Sequence, residues 1–254
     1  MNTDLILSHL SDSSVAYRYA MLQESLNNLL KGLGILEIKP NDVEVLRYII
    51  CRSSTILDFN WISPIYKSLS DVKDITFDDF VAFFGLDIVV GYEDEINRLV
   101  KLYIERKQNH WINPDTRNAD ITASTYGLYL FRSQTEEIFR RITGASKEEA
   151  ELFRRNIQKG VVEAVLFGDK FIEMGLAKGY DRKYMQNIWN EFEKSKLIKA
   201  DLFYCVTSCW LMYQVAYLEY YYSVELEQFI QENTSVNHLN KEQIISSILT
   251  VNKV

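Results

Sequence analysis

Residues 202–222, LFYCVTSCWLMYQVAYLEYYY, carry only four polar non-aromatic side chains, Thr207, Ser208, Gln214 and Glu219, in an otherwise apolar and aromatic run. A helix that is apolar on nearly every side has to be surrounded by other elements. The run, extended over about 202–232, is therefore expected to be the central helix of a multi-helix bundle, and the fold class is all-α. Its length is enough to cross a bilayer. Gln214 near the middle, Glu219 toward the end and six tyrosines spread along the run favour burial in protein over lipid, so a membrane is disfavoured. Polar groups on such a helix need partners. Tyr213, Gln214, Tyr217, Glu219 and Tyr220 are accordingly candidate ligand-binding or partner-binding residues.

The rest of the 254 residues agrees with a helical fold: ten glycines and three prolines are few, and scarce breakers favour long helices over a turn-rich sheet. A formal net charge of -7 gives the chain as a whole no attraction to nucleic acid or an anionic membrane surface. Cys51, Cys205 and Cys209 make neither a disulfide framework nor a zinc site, which suits a reducing cytoplasm. The opening MNTDLILSHLSDSS has Asp4 where a secretory leader needs positive charge.

Helix starts recur along the chain. Asn41-x-x-Glu44, Ser133-x-x-Glu136, Ser146-x-x-Glu149 and Asn240-x-x-Gln243 have capping-box form, and Ser13, Asp74 or Thr76, and Asp201 are simpler N-caps. Apolar stripes follow: Val15, Tyr19, Leu22, Leu26, Leu29 and Leu33 in one helix ended by Gly32 and Gly34, and Val43, Leu46, Ile49, Ile50, Ser53, Ile56 and Leu57 in the next. A helix over about 92–108 turns Ile96, Leu99, Val100, Tyr103 and Ile104 inward. WINPDTRNAD, residues 111–120, reads as a loop, because Pro114 lacks an N–H and its Asn, Asp and Thr neighbours favour turns. It suggests an N-terminal helical subdomain over 1–112 and a C-terminal bundle over 113–254, or one continuous domain, with helices over about 121–143, 147–178, 182–198, 202–232 and 241–251.

Candidate chemistry is sparse. Arg140-Arg141 and Arg154-Arg155 can clamp phosphate or carboxylate through their planar forks, although Glu136, Glu137, Glu148, Glu149 and Glu151 are interleaved at helical spacing and suit a salt-bridged face. Cys205 and Cys209 lie one turn apart on an apolar helix, where thiols are usually inert packing groups. His9, His110 and His238 belong to no Glu-x-x-His or His-x-x-x-His pattern, so neither a metal nor a cofactor is expected.

Arg106-Lys-Gln-Asn-His110 resembles the Arg-to-His motif of HEPN ribonucleases, which would imply RNA cleavage at a dimer interface; three residues intervene where that family has four to six, and a helix end explains the same residues. Thr76 to Asp87 has the outline of the first helix and turn of a helix-turn-helix, with Gly85 at the turn, but Glu93-Asp94-Glu95 would open the reading helix and repel phosphate. Asp78-Asp79 is similar to the aspartate-rich magnesium motif of all-α terpene synthases, with Ala82 where a third acid is required. Elimination leaves a non-enzymatic protein-binding factor, an adaptor, immunity or regulatory protein acting through its acidic and tyrosine-rich surface on another protein or on a second copy of itself. The alternatives are an enzyme or small-molecule binder with a pocket between helices of the C-terminal bundle, and a nucleic-acid-binding or RNA-cleaving protein. The balance falls against an enzyme and against nucleic acid as a partner.

Overall fold

A computed structural model of the chain describes residues 13–51, 64–88, 92–159, 163–196 and 200–237. Among these the fold is all-α, with ten α-helices and no strand. They are α1 (Ser13–Gly32), α2 (Val43–Ile50), α3 (Phe77–Asp87), α4 (Glu93–Gln108), α5 (Arg132–Thr143), α6 (Lys147–Lys159), α7 (Glu163–Ala177), α8 (Arg182–Ser195), α9 (Leu202–Tyr221) and α10 (Ser223–Asn237), with 3-10 turns at Pro64–Leu69 and Ala123–Thr125. The chain divides into two compact units, Met1–Val81 with Phe203–Val254, and Ala82–Leu202. These divisions fall elsewhere than the 112/113 boundary suggested by Pro114, because the 111–120 loop packs within the second unit.

In the first unit, α9 is buried on nearly every side from Cys205 to Glu219, as its composition requires, and no helix among the described residues is long and apolar enough to cross a membrane. The expected single helix over 202–232 is instead two, α9 and α10, broken at Tyr222 where the buried run gives way to a polar sequence. Phe77 at the start of α3 meets Trp210 and Tyr213 edge-on, with ring centroids 6.0 and 5.8 Å apart. Burial pushes the Cys209 thiol well up, consistent with packing rather than reactivity.

The caps differ from the sequence expectation by one residue at α2. Asp42, not Asn41, accepts from the N–H groups of Glu44 and Val45 at 3.0 and 3.3 Å, while Asn41 accepts from Phe77 N–H at 2.9 Å and so ties the α2 entry to α3. Thr76 and Ser146 cap as expected, with Asp79 and Glu149 answering from the third position. Asp79 is thereby a buried capping group, unlike a magnesium ligand on an open face. Gly34, at φ +74, closes α1: Ile35 N–H donates to Leu30 O at 2.8 Å and Gly34 N–H to Lys31 O at 3.0 Å. The expected stripe residues Val15, Tyr19, Leu22, Ser53, Ile56 and Leu57, the 241–251 helix with its Asn240 box, and His9 and His238 lie outside the residues whose side chains are described.

Phenolic hydroxyls lock α9 to the α2 entry. Tyr213 donates to Lys39 O at 2.8 Å and accepts from Asp42 N–H at 3.0 Å; Tyr221 donates to the Asp42 carboxylate at 2.9 Å. Tyr213 is pushed up to about 12 by burial first, Tyr221 to about 12 by its bond to Asp42 first, and Tyr48 to about 12 by burial and then by the charge and hydrogen bond of Glu219. A raised tyrosine favours the folded state while it stays neutral. Its contribution is complete below pH ~10 and is lost as pH rises from there toward 12. Circular dichroism with tyrosinate absorbance should therefore show helix loss and tyrosine ionisation rising together across that window; tyrosines that ionise near 10 with the helices intact would contradict the locking role.

In the second unit, α5, α6, α7 and α8 surround one aromatic core. Phe153 stands at its middle, stacked on Phe139 at 3.9 Å and touching Phe171, Phe192 and Trp189 with centroids 5.5, 5.7 and 6.3 Å away. Gly168 lets α7 approach α8, since a Cβ there would stand 2.6 Å from the Trp189 indole. The helix expected over 121–143 begins only at Arg132, because Tyr126 and Gly127 take left-handed conformations (φ 50 and 75) that no α-helix accepts. Gln134, rather than Ser133, serves the helix start, its Oε1 accepting from the N–H groups of Leu130 and Phe131 at 2.8 and 2.9 Å. Gly85 lies within α3 and faces the Phe131 ring, so the turn expected of a helix-turn-helix is absent at that residue.

Candidate functional site

The second unit contains a cleft of about 660 Å³ walled by the end of α4, the 111–129 loop and one face of α8. Its shape starts at the α4 terminus. His110 adopts φ +48, Trp111 N–H donates to Arg106 O at 2.9 Å and His110 N–H donates to Lys107 O at 3.2 Å, the two bonds of a left-handed helix stop with histidine in the place glycine usually takes. That stop throws Trp111 back over Arg106, whose guanidinium lies 4.2 Å from the indole centroid and donates to Tyr126 O at 2.8 Å. Gly127 sits against both, since a Cβ there would run into the indole and stand 3.3 Å from Arg106 Nη1. The Arg106 and His110 pair that resembles a nuclease motif is thus a helix terminus, with Arg106 spent on Trp111 and Tyr126. Burial pulls the Arg106 guanidinium below its ordinary value, opposed by the charge of Glu191.

The 113–118 loop is held by its own side chains, as Asn and Asp favour. Asn113 accepts from Asp115 N–H at 2.9 Å, and Asp115 accepts from Arg117 N–H at 3.2 Å, from Asn118 Nδ2 at 2.9 Å and from the Tyr184 hydroxyl at 3.1 Å. Tyr184 thereby fastens the loop to α8, and burial followed by the Asp115 charge raises its hydroxyl. Above it, Tyr180 and Tyr184 stack at 5.5 Å and 13°, and the Arg117 guanidinium covers both rings at 5.3 and 4.6 Å. Arg141 anchors the loop from α5 by donating to Arg117 O at 2.8 Å and pairing with Asp120 at 2.6 and 2.8 Å, and its hydrogen bonds hold the Asp120 carboxyl down to about 2.

Arg106, Arg117 and Lys194 put three cations on the cleft wall against Asp115, Asp181 and Glu191. All three acids are already engaged: Asp115 as described, Asp181 as the N-cap of α8, accepting from Tyr184 N–H at 2.8 Å, and Glu191 in a surface pair with Lys194 at 2.7 Å. Stacked aromatic faces beside guanidinium and ammonium groups can hold a planar base and its phosphate.

The residues singled out from sequence are not gathered here. Arg154, buried, pairs with Glu136 at 2.6 Å and with Gln158 at 2.6 Å; Arg140 pairs with Glu137 at 2.8 Å and Arg155 with Glu151 at 2.5 Å. Only Arg141 reaches the cleft region, through the loop it anchors. In the first unit Tyr213 and Glu219 are buried, Tyr217 is half-buried against Tyr221, Tyr220 is exposed and Gln214 is buried. Arg117, Trp111, Tyr180 and Tyr184 were not nominated from sequence. The four-residue spacing of Tyr180 and Tyr184 was the available signal.

A family model described as the bacterial DNA polymerase III alpha subunit finger domain matches residues 20–178, more than half of the chain. The chain belongs to that finger-domain family. Individual relatives agree. DNA polymerase III subunit alpha of Halalkalibacterium halodurans is 28% identical over 161 residues, covering 61% of this chain and 14% of the relative. The same subunit of Aquifex aeolicus is 25% identical over 160 residues, covering 62% and 14%. That of Xylella fastidiosa strain 9a5c is 23% identical over 217 residues, covering 84% and 18%. The finger-domain chain therefore spans between a seventh and a fifth of the length of these relatives.

Membership corrects three expectations. The non-enzymatic protein-binding reading and the balance against an enzyme both give way, because the family is a region of a polymerase subunit. The expectation that nucleic acid is disfavoured, with another protein or a second copy as partner, gives way with them. Its physical error was to use net charge: -7 averages over the whole chain, whereas the cleft wall is locally balanced, three cations against three acids, and sets aromatic faces beside them. Of the alternatives, nucleic-acid binding is the one the finger domain favours.

Proposed function

We propose that this chain works as the finger module of a DNA-directed DNA polymerase of the polymerase III alpha type, and that its cleft in Ala82–Leu202 holds a DNA strand. The family match over residues 20–178 carries the reading. The cleft supports it: Tyr184 lines it with Tyr180 stacked on that ring, Arg117 and Lys194 offer phosphate contacts, and Arg141 positions the loop that presents Arg117. The module's part in synthesis is to bind and orient the strand. The cytoplasm, suggested by three cysteines that form no disulfide, is the compartment in which such a module meets DNA.

The test is fluorescence anisotropy of the full chain with a labelled single-stranded oligodeoxynucleotide. Saturable binding is expected at low salt, with log affinity falling linearly as log salt rises. Arg117→Ala should weaken binding by roughly fivefold or more, the worth of a lost cation–aromatic or phosphate contact of about 1 kcal/mol. Lys194→Ala should reduce the salt slope by about one ion. Absence of binding at low salt, or binding indifferent to both changes, would sink this assignment.

A further inference from the structure

The first unit holds a second cavity, a groove of about 460 Å³ lined by α1, the 35–40 segment, Phe77 and the Trp210 and Gln214 face of α9. Its volume lies in the range of small-molecule pockets. Three properties define what fits it. The first is a flat aromatic wall: Trp210 lies parallel to Tyr213 (5.9 Å, 11°) with Phe77 edge-on at 6.0 Å, which holds the indole in a fixed plane. The second is an unspent amide: Gln214 is 3% exposed, and its Oε1 has no hydrogen-bond partner among the described residues. A buried acceptor left unsatisfied is costly, so a ligand that donates to it recovers free energy the folded protein forgoes. The terminal amide torsion of glutamine is broad, so a turn of it can offer Oε1 and Nε2 together to the groove. The third is the lining charge: among the described residues no lysine or arginine lines the groove, and Glu37 is acidic. Among these residues a phosphate meets one repelling carboxylate, whereas a neutral ring is unopposed.

We propose that this groove takes an adenine-type base, a planar purine whose exocyclic amino group donates to Gln214 Oε1 while the adjacent ring nitrogen accepts from Nε2, with the ring laid along the Trp210 wall. The two-point match between a glutamine amide and the amino and ring-nitrogen edge of adenine is the reason for choosing this base over the others. The sugar, and any phosphate, project out of the groove. The inference stands apart from the strand-binding cleft, which uses other residues.

Calorimetric titration of the full chain with uncharged adenosine tests it. Adenosine should bind saturably, purine riboside, which has neither the amino group nor any ring N–H to donate in its place, should bind about tenfold more weakly, and Gln214→Leu should lose about the same factor for adenosine. The purine riboside comparison uses the unaltered chain and so stands even if Gln214→Leu disturbs folding. Arg117→Ala should leave adenosine affinity unchanged, which separates failure here from failure of the cleft. Displacement of adenosine by a short oligodeoxyadenylate would assign the base to a DNA strand, and its persistence would assign it to a free nucleoside; either supports the site. No adenosine binding, or equal affinity for adenosine and purine riboside, overturns it.

Discussion

Replacing Phe153 with alanine is expected to destabilise residues 82–202 by about 3–5 kcal/mol, the usual cost of removing a large aromatic from a packed core. Phe153 is the common neighbour of Phe139, Phe171, Trp189 and Phe192, which come from the three other helices α5, α7 and α8, so the void opens at the point where all four helices meet. Close-packed rings on several backbones cannot all slide inward to fill it. Since an entire domain is commonly stable by about 5–15 kcal/mol, chemical denaturation should show a large drop in midpoint or no cooperative transition. Phe153→Leu should retain much of the difference. A shift of less than about 1 kcal/mol for the alanine variant would mean that the core is not organised around this ring.

Gly127→Val is expected to abolish strand binding by the cleft and to cost about 2–5 kcal/mol of stability, combining a left-handed backbone penalty of about 1–2 kcal/mol with overpacking of about 1–3 kcal/mol. Gly127 has φ +75, and any Cβ there enters the Trp111 indole. Trp111 has little room to retreat, because Arg106 covers its face at 4.2 Å and the helix stop fixes its backbone. The ring, the Arg106 guanidinium and the Tyr126 carbonyl should shift together. Anisotropy with labelled DNA and denaturation of the same variant check both halves. A variant that binds DNA like the unaltered chain would place the strand elsewhere.

The fold was largely legible because burial leaves a periodic trace. The run from Leu202 could only be a surrounded helix, and the Ser146 box and the Gly34 stop are local devices whose partners lie within a few residues. Errors arose where two local solutions were equally good. Asn41 and Asp42 can each cap a helix, and the choice depends on Phe77, which needs Asn41 for its own N–H. Likewise Ser133 and Gln134 both suit a helix start, and only the left-handed turn at Tyr126 and Gly127 selects the latter. The cleft was illegible for a related reason. Asp115 and Tyr184 are far apart along the chain, and a tyrosine pair or a turn-rich loop is unremarkable by itself. The sequence also draws the eye to arginine pairs, yet charged groups at helical spacing satisfy each other first: Arg155 is consumed by Glu151, while the solitary Arg117 rests on two rings.

The position of Arg117 has a consequence for selectivity. With its guanidinium parked on Tyr180 and Tyr184, the platform is already occupied by a tethered stand-in. Any visitor must displace that lid or build upon it, surrendering or sharing roughly 0.5–1 kcal/mol of attraction at an exposed location. Greasy molecules that merely adhere to bare phenol faces gain too little from the exchange, whereas one bringing both a flat ring and an anion can keep the guanidinium satisfied as it moves aside. The resting molecule thus guards its own adhesive surface against fortuitous association.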